Sequence, residues 1–177
     1  NIPVGTFRSY YKNGKPQGVL KYRGLTNTCD AVIQSDSGVV IARGKYIDKT
    51  KDSTWNYYDE KGNLSATEMY RKGKKEGTWK IFHPNGQVAS VTTYKNDLKD
   101  GPFKEFFQDG TKKIEGNYTK GDFVGKVTVY HPNGKVWQEG MYRNGVKDGT
   151  WIIYKENGEK EREDIYKNGK LLNPSKV

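Results

Sequence analysis

Residues 77–100 read GTWKIFHPNGQVASVTTYKNDLKD, and residues 125–148 read GKVTVYHPNGKVWQEGMYRNGVKD. They are two copies of one 24-residue unit. Stepping by that length in both directions gives seven units, 5–28, 29–52, 53–76, 77–100, 101–124, 125–148 and 149–172, with no insertion or deletion. The tenth position is always glycine, Gly14, Gly38, Gly62, Gly86, Gly110, Gly134 and Gly158, and the eighteenth is always tyrosine, from Tyr22 to Tyr166. A fixed period of this size marks a repeat architecture, in which each unit needs its neighbour to bury its apolar face.

Within a unit, two β-rich runs such as TWKIF and QVASVTTY flank a turn that ends at the invariant glycine. Pro84 and Pro132 stand first in that turn, where the fixed φ of proline suits the second residue of a type I turn. A three-residue hairpin loop with the glycine left-handed fits better than a two-residue primed turn. This register puts the sixth-position rings (Tyr58, Phe82, Phe106, Tyr130, Tyr154) on the face of the invariant tyrosines. It puts the third-position residues (Phe7, Trp55, Trp79, Phe103, Val127, Trp151) on the other face; a primed turn would exchange these partners. The stretch Tyr-x-x-Gly-x-x-x-Gly, as in YRNGVKDG at 142–149, reads as a six-residue loop returning the chain antiparallel. No position carries a helical period. The expected fold is all-β: an elongated, single-sheet antiparallel meander of stacked hairpins, forming one repeat domain over 5–172.

The motifs GTWKIFHPNG (77–86), GTWIIYKENG (149–158), YRKGKKEG (70–77) and YRNGVKDG (142–149) resemble the MORN repeat family, in its bacterial variant labelled YwqK-like. The likeness is strongest over 53–172. The second unit departs most, with Ala31 and Gln34 in place of the strand aromatics. The resemblance implies a scaffold or binding surface without catalytic residues, an antitoxin-like label, and export in a Gram-negative bacterium, periplasmic or at the cell surface. The chain starts at Asn1 rather than methionine, which agrees with a removed export signal or tag; a cytoplasmic location is the alternative.

Chemistry is sparse. His83 and His131 occupy equivalent turn positions about 19 Å apart, too far to share a zinc ion. The single cysteine, Cys29, takes a slot held elsewhere by glycine or serine. No nucleophile elbow, phosphate loop or metal motif is present, so no enzyme, cofactor or metal is expected.

Charge is more informative. The return connections hold 14 Lys and Arg against 7 Asp and Glu, whereas the hairpin loops hold 5 against 6. Arg71, Lys72, Lys74, Lys75, Lys95, Lys99, Lys120, Arg143 and Lys147 form a candidate anion-binding edge, suited to lipid or glycolipid headgroups. The alternative is that these charges only solvate the chain. The third-position ladder Trp55, Trp79, Phe103 and Trp151 is the candidate contact surface for a protein partner, unless those rings cover the sheet itself. Protein binding leads, with an antitoxin or immunity role as a special case. Anionic membrane surfaces come second, and nucleic acid is not expected because no reader motif occurs.

Overall fold

The structure, a computed structural model, describes residues 3–24 and 26–173. Asn1, and with it the reading of the start of the chain, lies outside the described residues. Among those residues there are strands and turns but no helix. The chain divides into two compact units, residues 1–86 and 87–177, and the division falls at the end of the HPNG loop of the fourth repeat.

The first unit contains β1 (Gly5–Tyr10), β2 (Pro16–Tyr22), β3 (Thr28–Gln34), β4 (Val40–Ile47), β5 (Thr50–Tyr58), β6 (Leu64–Arg71), β7 (Lys74–Lys75) and β8 (Gly77–Phe82). The second contains β9 (Val88–Lys95), β10 (Leu98–Phe106), β11 (Lys112–Thr119), β12 (Asp122–Tyr130), β13 (Val136–Arg143), β14 (Val146–Tyr154), β15 (Lys160–Lys167) and β16 (Lys170–Leu171). Within each unit the sheet is open and antiparallel, and strand order follows chain order; β6 carries both β7 and β8 on one side.

The hairpin loops form as the sequence requires. In the loop after β12, the Gly134 N–H donates to the His131 carbonyl at 2.9 Å, and the His131 N–H donates to the Lys135 carbonyl at 2.8 Å. That is a type I turn closed by a left-handed residue, and all seven tenth-position glycines have φ between +80° and +92°.

The face assignment is corrected. Trp55 pairs with Glu68 and Ser53 with Tyr70, so the third-position ring and the invariant tyrosine share one face. Phe7 and Tyr22 meet at 5.4 Å between ring centroids, as do Phe103 and Tyr118. The sixth-position rings lie on the opposite face. The cause is a second irregularity just past six of the loops, where one residue of the returning strand has no partner: Gln17, Ile41, Ser65, Lys113, Trp137 and Glu161. One extra residue on one strand turns every later side chain to the other face.

The return connections are also tighter than expected. Arg143 pairs with Val146 around Asn144 and Gly145, with φ of 50° and 77°, a two-residue primed turn. Five further connections share this form, at 48–49, 72–73, 96–97, 120–121 and 168–169. Consecutive turns are tied together: the Gly73 N–H donates to the Lys51 carbonyl at 2.8 Å, and the Gly169 N–H to the Lys147 carbonyl at 2.9 Å. Asp52 accepts the Lys72 N–H at 2.9 Å. After the primed turns that lead into a full strand the register jumps again; Arg43 pairs with Asn56, but Lys45 pairs with Asp52. That jump lets the third-position ring fold back over the preceding strand.

Candidate interaction surfaces

The third-position rings are the interior. Trp55 and Trp151 are each 1% exposed and Phe103 is 7% exposed, while Trp79 is half-buried. Trp151 lies flat on Gly140, where an added Cβ would sit 2.4 Å from the indole; Trp55 lies on Gly44 in the same way, at 2.2 Å. The indole N–H of Trp55 donates to the Lys45 carbonyl at 3.0 Å, that of Trp79 to the Met69 carbonyl at 2.9 Å, and that of Trp151 to the Met141 carbonyl at 3.2 Å. Burial of the ring and satisfaction of its N–H are thus achieved together. Trp55, Phe103 and Trp151 hold the sheet and are not a contact ladder, because no face of these rings reaches solvent. Phe7 is the exception at 50% exposed, since no strand precedes β1 in its unit to cover it.

The basic edge separates into two kinds of residue. Lys75 lies over Trp79 at 4.5 Å, Lys99 over Tyr118 at 4.8 Å, and Lys147 over Trp151 at 3.9 Å and Tyr166 at 5.0 Å. Lys51, which the charge count did not single out, lies over Trp55 at 4.8 Å and donates to the Tyr57 hydroxyl at 2.6 Å. These stems cap the rings and their ammonium groups meet π faces, a contact of about 0.5–2 kcal/mol. Burial pushes the Lys147 ammonium below the usual lysine range. Lys75, Lys99 and Lys147 are therefore part of the core lid and not of a free edge. Arg143 is exposed but pairs with Asp148 at 3.2 Å. Arg71, Lys72 and Lys74 in the first unit, and Lys95 and Lys120 in the second, project from turn tips into solvent.

The opposite face of the second unit carries two features that the sequence did not reveal. The first is an apolar patch. Met141, Val146, Ile165 and Leu172 are 39–54% exposed, and pairing puts all four on the face away from the rings. The second is a polar row in an open cleft of about 600 Å³. There the Tyr130 hydroxyl donates to Glu115, the Tyr154 hydroxyl donates to Glu139 at 3.2 Å, and Lys126 reaches Glu139 at 2.8 Å. The Tyr130 and Lys112 contacts hold the Glu115 carboxyl below its usual range, and burial with the Glu115 contact pushes the Tyr130 hydroxyl up to about 12. Every carboxylate in the row is partnered, so the row reads as a cross-strand fastening rather than an acid–base pair.

His131 serves its turn. His131 Nε2 lies 3.0 Å from the Tyr154 carbonyl of the next loop, and Asn133 donates to the Glu156 carbonyl at 2.8 Å. Among the described residues no group of three or more His, Cys, Asp and Glu side chains is arranged to hold a metal ion.

A sequence profile for a MORN repeat variant matches residues 3–23, 75–96, 99–120, 123–144 and 147–172. No curated protein matches the chain. Among solved structures, a chain in a crystal structure of the GtfA/B complex bound to UDP and GlcNAc is 20% identical, with a TM-score of 0.24. The match covers 66% of this chain and 23% of that one, so this chain spans under a quarter of that protein's length.

Proposed function

The chain belongs to the MORN repeat variant family, and from that premise we propose that it is a non-enzymatic repeat scaffold that binds a protein partner. The observation that carries this reading is the exposed patch of Met141, Val146, Ile165 and Leu172. The chain has few large apolar side chains and buries its third-position rings on one face. On the other face of β13–β16, Met141, Val146, Ile165 and Leu172 leave 39–54% of their surface in solvent, a clustering that marks a contact site. Arg143 and Lys170 stand at the rim, which gives the patch the apolar centre and charged border of a protein contact.

A photocrosslinking residue placed at Ile165 tests this in cells of the source organism. The expected result is a discrete protein adduct that survives high salt and disappears when Met141→Asp is added. No adduct at Ile165, or an adduct unaffected by Met141→Asp, would sink the reading. An antitoxin or immunity role would be one instance of such binding.

The second reading is peripheral attachment to anionic lipid or glycolipid surfaces. It is favoured by the solvent-facing Arg71, Lys72 and Lys74 of the first unit and by Lys95 and Lys120 of the second. Binding of this kind falls steeply with ionic strength, whereas the apolar patch does not depend on it.

A further inference from the structure

The ladder of rings breaks at the second repeat, and the break leaves a hollow. The other repeats carry Phe, Trp or Val at the third position, and the second carries Ala31. Neighbouring departures accompany it. Cys29 lacks the positive φ of the other first-position residues, and β2 pairs with β3 without the register jump found between β4 and β5. With alanine at the third position, no aromatic ring of the second repeat folds back over β2. In its place is an open pocket of about 310 Å³ lined by Gly18, Leu20, Tyr22, Cys29, Ile33 and Tyr46. A second hollow of about 300 Å³ adjoins it and shares Tyr22, Cys29, Tyr46 and Lys49. Each falls in the ~300–1,000 Å³ range of ligand clefts.

The side walls are the tyrosine pair that flanks a ring elsewhere, and the floor is Leu20 where Gly44 and Gly140 lie under the indoles. Tyr46 and Tyr70 pack against the cluster containing Trp55, and one repeat earlier Tyr22 and Tyr46 stand around an empty seat. Burial pushes the Tyr22 and Tyr46 hydroxyls and the Cys29 thiol up, so all three are uncharged at neutral pH. The ring-capping lysine of the later repeats is replaced here by Asn27, whose amide donates to Asp48 at 2.9 Å. The cation at this hollow is instead Lys49, which lines both halves. It holds φ at +64° where four of the other turns use glycine, and it has no ion-pair partner among the described residues.

We propose that the hollow is a socket for an aromatic side chain of a protein partner, an indole or phenyl ring with a carboxylate beside it. The ring lies on Leu20, higher than the indoles of Trp55 and Trp151 lie on Gly44 and Gly140, between Tyr22 and Tyr46, and the carboxylate meets Lys49 on the side away from Asp48. This inference rests on the protein-binding reading and names the chemistry of a partner.

The test is a methyl-labelled NMR titration of the full chain with indole-3-acetate, and with neutral indole for comparison. Saturable shifts of the Leu20 and Ile33 methyls are expected with both, with indole-3-acetate roughly fivefold tighter. Lys49→Gly should erase that difference and keep the shifts. Ser9→Phe, at an exposed position on the wall of the pocket, should fill the seat and abolish them. Methyls that stay still at millimolar probe, or that move equally in Ser9→Phe, overturn the socket. The readout needs no partner, so a silent socket in a chain that still cross-links at Ile165 fails this inference alone. A responsive socket with no adduct at Ile165 fails the patch reading alone.

Discussion

Gly140 has no side chain because Trp151 occupies the space where one would be. Gly140→Ala should therefore cost about 2–3 kcal/mol through overpacking, measured by chemical denaturation. Gly134→Val should cost a similar ~1–3 kcal/mol for a different reason, its left-handed φ of 83° at an open loop tip. The two glycines differ in how legible they were. Gly134 repeats seven times in seven at a turn, so sequence alone exposes its role. Gly140 shares its repeat position with Leu20, Glu68, Thr92 and Asp164, and only coordinates show the ring above it. The Tyr130–Glu115 contact gives a pH signature. Glu115 titrates below its ordinary 4.5 in the folded chain, so its contribution is complete above that value and is lost as pH falls through the lowered one. Tyr130 runs the other way: its contribution is complete below pH 10 and is lost as pH rises towards about 12. In Tyr130→Phe, stability measured against pH should flatten on both limbs.

From β3 onward two hairpin types alternate along the chain, and only one is legible in the sequence. The bulged three-residue loop has a recurring glycine and, in two repeats, a proline, which fix its geometry. Asn-Gly at 144–145 and 168–169 marks the primed turn, whereas the glycine at 149 reads from sequence as the end of a longer loop. Gly149 instead carries a φ of 74° inside β14, where the register jumps. The unpartnered residue after six of the loops left no signal at all, because Gln17, Ile41, Ser65, Lys113, Trp137 and Glu161 share no chemistry. That residue exchanged the two faces, and the contact ladder moved into the core as a result. The primed turn also permits a stabilising change. Lys49→Gly relieves a left-handed lysine, and the melting midpoint should rise, by up to about 1 kcal/mol in free energy.

At the scale of the molecule, charge and rings are coupled more closely than a net charge of +10 suggests. Lysines that the count assigned to an edge lie over the core rings, so charge reversal should divide by location. Lys147→Glu removes a contact at 3.9 Å to Trp151 and should lower the melting midpoint markedly. Reversing Arg71, Lys72 and Lys74 should barely move it, since exposed charges contribute about 0–1 kcal/mol each. The repeat and its strand content were legible because every copy restates them. The binding surface was not, because Met141 and Ile165 share a position that holds Lys21, Lys45, Met69, Thr93 and Asn117 elsewhere, and Val146 one that holds Thr26, Thr50, Lys74, Leu98, Asp122 and Lys170, so neither reads as apolar along the repeats. The central claim is that the third-position rings are spent on folding and leave contact to the opposite face. Its most direct test is 19F NMR of the chain labelled with 5-fluorotryptophan, with a soluble gadolinium chelate added and the four resonances assigned by single Trp→Phe changes. The account expects Trp55 and Trp151 to stay sharp, Trp79 to broaden in part, and Trp137, at 45% exposure, to broaden strongly. Broadening of Trp55 and Trp151 to the same degree as Trp137 would contradict it.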